Sequence, residues 1–149
     1  MKSLFFTIDI NASKEIVWNV LWDDTTYRQW TSVFSEGSYC ISDWKQGDKI
    51  IFLNADKNGM FSVIEKKHTP EFMSFKHIGV VKNGEEQPLD AEAQKWTGAT
   101  ENYTLSDSGD GTQLTVEITV TDDFTAYFNE SFPKALQKVK DLAEKVKVS

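Results

Sequence analysis

Leu114-Thr115-Val116-Glu117-Ile118-Thr119-Val120, followed by Phe124, Phe128, Phe132, Leu136, Val139, Leu142 or Ala143, and Val146, is the stretch whose reading decides the fold. In its first part Leu114, Val116, Ile118 and Val120 alternate with polar residues, the period of a strand with one apolar face. In its second part apolar residues recur every three or four positions, the stripe of an amphipathic helix. Lys140–Glu144 and Asp141–Lys145 stand four apart on the outer face of that helix, where opposite charges support it. Pro133 has no amide and clashes with the preceding turn, which predicts a kink there, or a break with Ser131 capping a second segment.

Upstream of this stretch the period is two from residue 36 onwards, with strands expected near 37–42, 47–54, 59–67, 71–81, 96–106 and 112–120. Gly37, Gly47, Asn58-Gly59, Pro70, Asn83-Gly84 and Asp107-Ser108-Gly109-Asp110-Gly111 punctuate the runs. Asn58-Gly59 suits a tight hairpin, because both residues tolerate positive φ. The stretch 82–95 is one long acidic connection, either a lid or binding loop or a flap with no role. At the N-terminus Leu4, Phe6, Ile8 and Ile10 form the apolar face of another strand. Ser13 is a good N-cap for a helix carrying Ile16, Val17, Val20 and Leu21, and Glu15 suits its positive end. Asp23-Asp24-Thr25-Thr26 interrupts that helix and can cap a second short one carrying Tyr27, Trp30 and Phe34.

The order is therefore α+β: one strand, two short helices, six strands and a long final helix. The economical packing is a curved antiparallel sheet of about seven strands wrapped around the C-terminal helix, in a single domain over residues 1–149. A sheet bent around one helix cannot close at both ends, so a cavity is expected between them.

Composition narrows the function. Sixteen basic against 23 acidic side chains give a net charge of −7, so no basic excess exists to release counterions from nucleic acid. One cysteine, Cys40, excludes a disulfide scaffold or a zinc–cysteine cluster. No apolar run reaches the ~20 residues of a membrane span, and Asp9 interrupts any secretory signal, so a soluble cytoplasmic protein is expected. G-x-S-x-G, P-loop, H-E-x-x-H and G-x-G-x-x-G motifs are missing. His68 and His77 are too few imidazoles for most metal sites, so neither a metal nor a cofactor is expected. Residues 107–111 read as a polar hairpin turn rather than a calcium loop, whose ligands need a different spacing.

Strand phase singles out candidate site residues. Thr100, Asn102 and Thr104 form a polar face, which leaves Ala99, Glu101, Tyr103 and Leu105 inward. Lys76 prefers the outer face, which sends Met73, Phe75, His77 and Gly79 inward. The two strands flank the long loop and are expected to pair, bringing His77 near Glu101. An ionised carboxylate in an apolar cavity must be paired or shifted; His77, the Tyr103 hydroxyl, Arg28 or a water could satisfy Glu101. The pair reads as a ligand anchor, an acid/base couple or a purely structural contact, and a register slip would instead leave Glu101 exposed. Of the tryptophans, Trp18 reads as core, Trp22 and Trp44 as edge covers with exposed indole nitrogens, and Trp30 and Trp96 as ligand contacts near the cavity mouths. Phe128 and Phe132 line the helix face toward the sheet, as core or as ligand wall.

The element order resembles the START-like, Bet v 1-type helix-grip superfamily, also called SRPBCC. Ile8-Asp9-Ile10-Asn11-Ala12-Ser13-Lys14-Glu15-Ile16-Val17-Trp18, Tyr103-Thr104-Leu105, Gly111-Thr112-Gln113-Leu114-Thr115-Val116 and Phe132-Pro133-Lys134-Ala135-Leu136 are similar to its AHSA-type branch, named after activators of the heat-shock protein 90 ATPase. Trp96-Thr97-Gly98-Ala99-Thr100-Glu101-Asn102-Tyr103 resembles a bacterial subgroup. The superfamily implies a cavity for a small hydrophobic or lipid-like ligand, with Glu101, His77, Tyr103, Phe75, Trp30, Trp96, Phe128 and Phe132 as contacts and no catalytic residue assigned. The branch implies, as a second reading, a chaperone partner and a stress-response role. The activators carry a further domain that this sequence is not expected to contain. A cavity enzyme using Glu101 and His77 is the third reading. The oligomeric state is left open.

Overall fold

The computed structural model describes residues 1–148, so Ser149, the end of the expected 1–149 unit, lies outside the described residues. Strand β1 (Lys2–Ile10) leads to α1 (Lys14–Trp22) and α2 (Asp24–Thr31). The strands β2 (Tyr39–Ser42), β3 (Lys49–Leu53), β4 (Gly59–His68) and β5 (Phe72–Lys82) follow. A two-residue β6 (Glu85–Glu86) and a one-turn α3 (Ala91–Gln94) fill the long connection. Then come β7 (Thr100–Ser108), β8 (Gly111–Val120), a 3₁₀ turn (Asp122–Phe124) and α4 (Thr125–Val148). All strands join one sheet in the order β1-β8-β7-β5-β4-β3-β2, with β6 paired to β5. Every pairing is antiparallel. This is the expected helix-grip α+β fold.

The local signals explain most boundaries. Ser13 Oγ accepts from the Ile16 amide at 3.3 Å, the capping bond that opens α1. Asp23 stands at the N-cap of α2 without a side-chain bond there. The hairpin from β3 to β4 differs from the expectation: the residue at positive φ is Lys57, at 63°. Asn54 organises that turn, its side-chain oxygen accepting from the Asp56 and Asn58 amides at 2.9 and 3.1 Å. Gly59 is needed for space instead, since a Cβ there would lie 1.8 Å from the Phe52 carbonyl oxygen. The run 107–111 is the β7–β8 hairpin, closed by the Ser108–Gly111 pair. The 96–99 segment, expected as strand, is a turn after α3. It closes with a turn bond from the Ala99 amide to the Trp96 carbonyl at 2.9 Å, and is tied to β5 by the Gly98 amide on the His77 carbonyl and the His77 amide on the Ala99 carbonyl, both at 2.8 Å.

Helix α4 runs unbroken through Pro133. Ser131, expected to cap a second segment, donates its hydroxyl to the Tyr127 carbonyl at 2.7 Å and caps nothing. The packing around the proline overrides the local penalty. Phe132 stacks on Phe6 of β1 with ring centres 5.0 Å apart and 16° between planes, and Ala135, Leu136, Val139 and Ala143 are buried just beyond it. The helix is thus tied to the sheet along its C-terminal half. Its first turns and the 3₁₀ turn before them are less covered, with Tyr127 44% and Phe124 51% exposed.

One irregularity changes the expected phase. Along β5, Met73, Phe75 and His77 face inward and are buried. The β4–β5 register then slips, with Ser62 opposite His77 but Phe61 opposite Gly79, so Ile78 is an extra residue in β5. The bulge reverses the alternation. Gly79, expected inward, sits on the outer face, where a Cβ would meet the Phe61 ring at 2.5 Å and Leu89 at 3.0 Å. Val80 takes the inward place.

Candidate functional site

Between the sheet and the first half of α4 lies a hollow of two lobes. The larger, about 570 Å³, is walled chiefly by Trp22, Tyr27, Trp30, Phe52, Tyr103 and Phe128. The smaller, about 330 Å³, is walled by Met60, His77, Val80, Trp96, Ala99 and Ile118 among others. Met60, Glu101, Phe124, Phe128 and Phe132 belong to both. The larger lobe lies within the usual size range of small-molecule pockets, roughly 300–1,000 Å³.

Glu101 occupies the partition because of strand register. On β7 it stands opposite Phe75 of β5 and Ile118 of β8, so its side chain shares the inward row with two apolar neighbours. Its carboxylate is nonetheless partnered. Oε1 lies 3.2 Å from His77 Nε2, and Oε2 accepts from the Tyr103 hydroxyl. His77 Nδ1 lies 2.6 Å from Ser62 Oγ. With the proton on Nε2, the chain has one direction: Ser62 donates to His77, and His77 and Tyr103 donate to Glu101. Three donors, each held by a strand, point one way.

Burial sets the character of the site. The side chains of His77 and Glu101 are 11% and 24% exposed. The Tyr103 phenol is pushed well above its ordinary range, first by burial and then by the negative charge of Glu101. Tyr27 shifts the same way, by burial first, with Cys40 and Glu101 adding to it. The Tyr103 phenol is thus kept protonated and donates to Glu101. Ser62 is fully buried and is not among the residues that line either lobe. The Ser62–His77–Glu101 sequence of bonds therefore positions a carboxylate and does not present a serine nucleophile to the cavity.

The expected residues fall into three positions. Glu101, Tyr103, Trp30, Phe128 and Phe132 line the larger lobe, and His77 and Trp96 the smaller. Trp30 is not at a mouth: it is 1% exposed and its indole N–H donates to the Leu21 carbonyl at 3.1 Å. Phe75 lies one layer behind the wall, edge-on to Trp22 and Phe52 at 5.4 and 5.3 Å. Arg28 is not a partner of Glu101; it pairs with Asp24 at 2.9 Å and covers the Tyr39 ring.

Two residues escaped the sequence reading. Trp22 was expected at an edge with its nitrogen exposed, yet it is 8% exposed and packs against Trp18, Trp30, Trp44, Phe75 and Tyr103. It reaches the centre because α1 ends there, directly over β5 and β7. Its indole N–H is buried and has no hydrogen-bond partner among the described residues. Ser62 carried a readable signal: in Met60-Phe61-Ser62-Val63-Ile64 it holds the phase of Met60 and Ile64, a polar residue in an inward row.

The sequence matches the family model described as Activator of Hsp90 ATPase homolog 1-like protein over residues 11–144. No curated protein matches it. Among solved structures it is similar to the Aha1 dimer from Colwellia psychrerythraea, at 20% identity and a TM-score of 0.74 over 97% of each chain. A protein from Nitrosomonas europaea is similar at 13% identity, TM-score 0.71, over 99% of this chain and 97% of that one. The AHSA1-like protein from Aeromonas hydrophila is similar at 14% identity, TM-score 0.69, over 99% and 96%. At these identities the likeness is one of fold. No helix among the described residues is long and apolar enough to cross a membrane.

Proposed function

The chain belongs to the family of Activator of Hsp90 ATPase homolog 1-like proteins, and from that membership and the geometry of its hollow we propose that it binds a small, largely apolar ligand between the sheet and α4. The observation that carries this reading is the contrast within one space: aromatic walls on most sides and one oriented carboxylate, Glu101, at the partition of the two lobes. A ligand with an apolar body would bury against Trp30, Trp96, Phe128 and Phe132. A donor on it would reach Glu101, flanked by His77 and Tyr103, and an acceptor would satisfy the Trp22 N–H. Phe75 would support the wall from behind.

The neutral dye N-phenylnaphthylamine tests this. Saturable one-site uptake with energy transfer from the tryptophans is expected, together with its loss in Met60→Trp, which fills the junction of the lobes. No saturable uptake by the folded wild-type chain would overturn the reading. Native mass spectrometry of freshly purified protein would reveal a co-purifying ligand directly.

Family membership also supports a second reading, contact with an Hsp90-type chaperone. Acceleration of such an ATPase by this chain, undiminished in Met60→Trp, would favour that surface role over the cavity. Acid/base chemistry at Glu101 and His77 is the third reading; turnover abolished by Glu101→Gln would be its mark.

A further inference from the structure

Apart from the His77 imidazole, which is already engaged by Glu101 at 3.2 Å, the charge inside the hollow is one-sided. Among the residues lining the two lobes, Glu101 is the one carboxylate, and none is a lysine or arginine. The nearest lysine on β5, Lys76, is exposed on the opposite face. Arg28 is bound to Asp24 outside the cavity. Glu101 already receives hydrogen bonds from His77 and Tyr103, which fix its orientation without bringing a lysine or arginine into the wall.

A second negative charge placed in this space would be desolvated beside the first with no lysine or arginine to face it, which is strongly unfavourable. A positive charge meets the reverse situation. A ligand ammonium would form a charge-assisted hydrogen bond to a pre-oriented carboxylate. Trp22, Trp30 and Tyr103 line the same lobe but pack edge-to-face on one another, with ring centres 4.9 to 6.5 Å apart, so the bond to the carboxylate carries the preference and the rings supply the apolar wall.

We propose that the cavity selects apolar organic cations, amines carrying a compact hydrophobic body, and rejects anionic amphiphiles such as fatty acids. This rests on the ligand-binding reading above and adds the charge of the ligand to it.

Three ligands of one shape separate the two ideas: adamantylamine (a cation at neutral pH), adamantanol and adamantane carboxylate, each titrated into the wild-type chain by calorimetry. The ammonium is expected to bind at least about tenfold more tightly than the alcohol, a ratio on the scale of one charge-assisted bond, with the carboxylate unbound. In Glu101→Gln the preference for the ammonium should fall to within about threefold, while the alcohol still binds, since only the charge has changed. Carboxylate binding as tight as that of the ammonium in the wild-type chain would overturn the charge selection, whatever the variant does. Equal binding of all three would leave the cavity as a ligand site and remove its selectivity. Failure of all three, and of the neutral dye, would sink the ligand-binding reading itself.

Discussion

Phe132→Ala is the perturbation that most directly tests how α4 is held. Phe132 is 3% exposed, stacks on Phe6 and meets the Phe34 ring edge-on at 4.8 Å. Removing its ring forfeits roughly 1.5–3 kcal/mol of burial, and each lost ring pair adds roughly 0.5–1.5 kcal/mol. Phe132 also lines both lobes, so the vacated space joins an existing hollow and the neighbouring rings have little to collapse onto. The sum, roughly 2.5–6 kcal/mol, brackets the roughly 3–5 kcal/mol range of buried Phe→Ala changes. Against a total stability of roughly 5–15 kcal/mol this is a large fraction, and it lowers Tm by roughly 2–4 °C per kcal/mol for a chain of this size. Guanidinium unfolding followed by far-ultraviolet circular dichroism measures it, with the slope m expected to stay constant. Phe124→Ala is the control: the ring is half exposed, and the cost should be below about 1 kcal/mol. Equal losses in the two variants would refute the idea that the Phe6–Phe132 stack ties the helix to the sheet.

Ser62→Ala should cost about 1–3 kcal/mol by urea unfolding, because His77 Nδ1 is left buried without its donor; a change under about 0.5 kcal/mol would remove the hydroxyl from the network. The Cys40 thiol is pushed up to about 12, chiefly by burial and then by Asp24. Its thiolate fraction near neutral pH is then lower than in the unfolded chain by about a thousandfold, partly offset by the greater nucleophilicity of the more basic thiolate, so disulfide-exchange reagents should react more slowly with the native protein by about thirtyfold or more. Native and unfolded rates within tenfold of each other would contradict this. Tyr27 and Tyr103 have phenols raised in the folded state, so the unfolded chain loses those protons first as pH rises. Their contribution to stability is complete below the ordinary phenol value near 10 and declines above it, by about 1.4 kcal/mol per pH unit for each tyrosine. Ultraviolet difference absorbance should show these two phenols ionising together with loss of the native circular dichroism. Ionisation of all four tyrosines in a still-folded chain would contradict it.

The strand phase of residues 99–105 and 73–77 was legible because Asn102, Thr104 and Lys76 mark the outer face. The expected proximity of His77 and Glu101 follows from that phase and from the antiparallel pairing of β5 with β7. The phase failed at Gly79. A bulge depends on how β4 and β5 fit in three dimensions, and its one local sign is Gly79 itself, an isolated glycine inside a strand. Trp22 was misplaced for a related reason: helix periodicity locates a stripe, but the depth of α1's last turn depends on where α2 and the sheet leave room. Lys57 took the left-handed position from Asn58-Gly59 because the bonds of the Asn54 side chain set the turn. At Pro133 the local rule was right about the lost amide and blind to the tertiary packing that holds the helix together. The helix-grip architecture was legible throughout, because every long element carries its own period.

The unequal seating of α4 has a mechanical consequence. From Phe132 to Ala143 the helix is pinned to β1 and α1, whereas the preceding turns roof the lobes and are held by the Tyr127 hydroxyl on the Phe34 carbonyl at 2.8 Å and by Phe128 against the Phe34 ring at 6.3 Å. Pro133, with its missing amide, falls at the boundary between the pinned and roofing portions. On the proposed ligand-binding reading, a molecule would enter by raising the near end of a lever whose far end stays bolted, against one phenol latch and the rings of Phe124 and Phe128 rather than against paired strands.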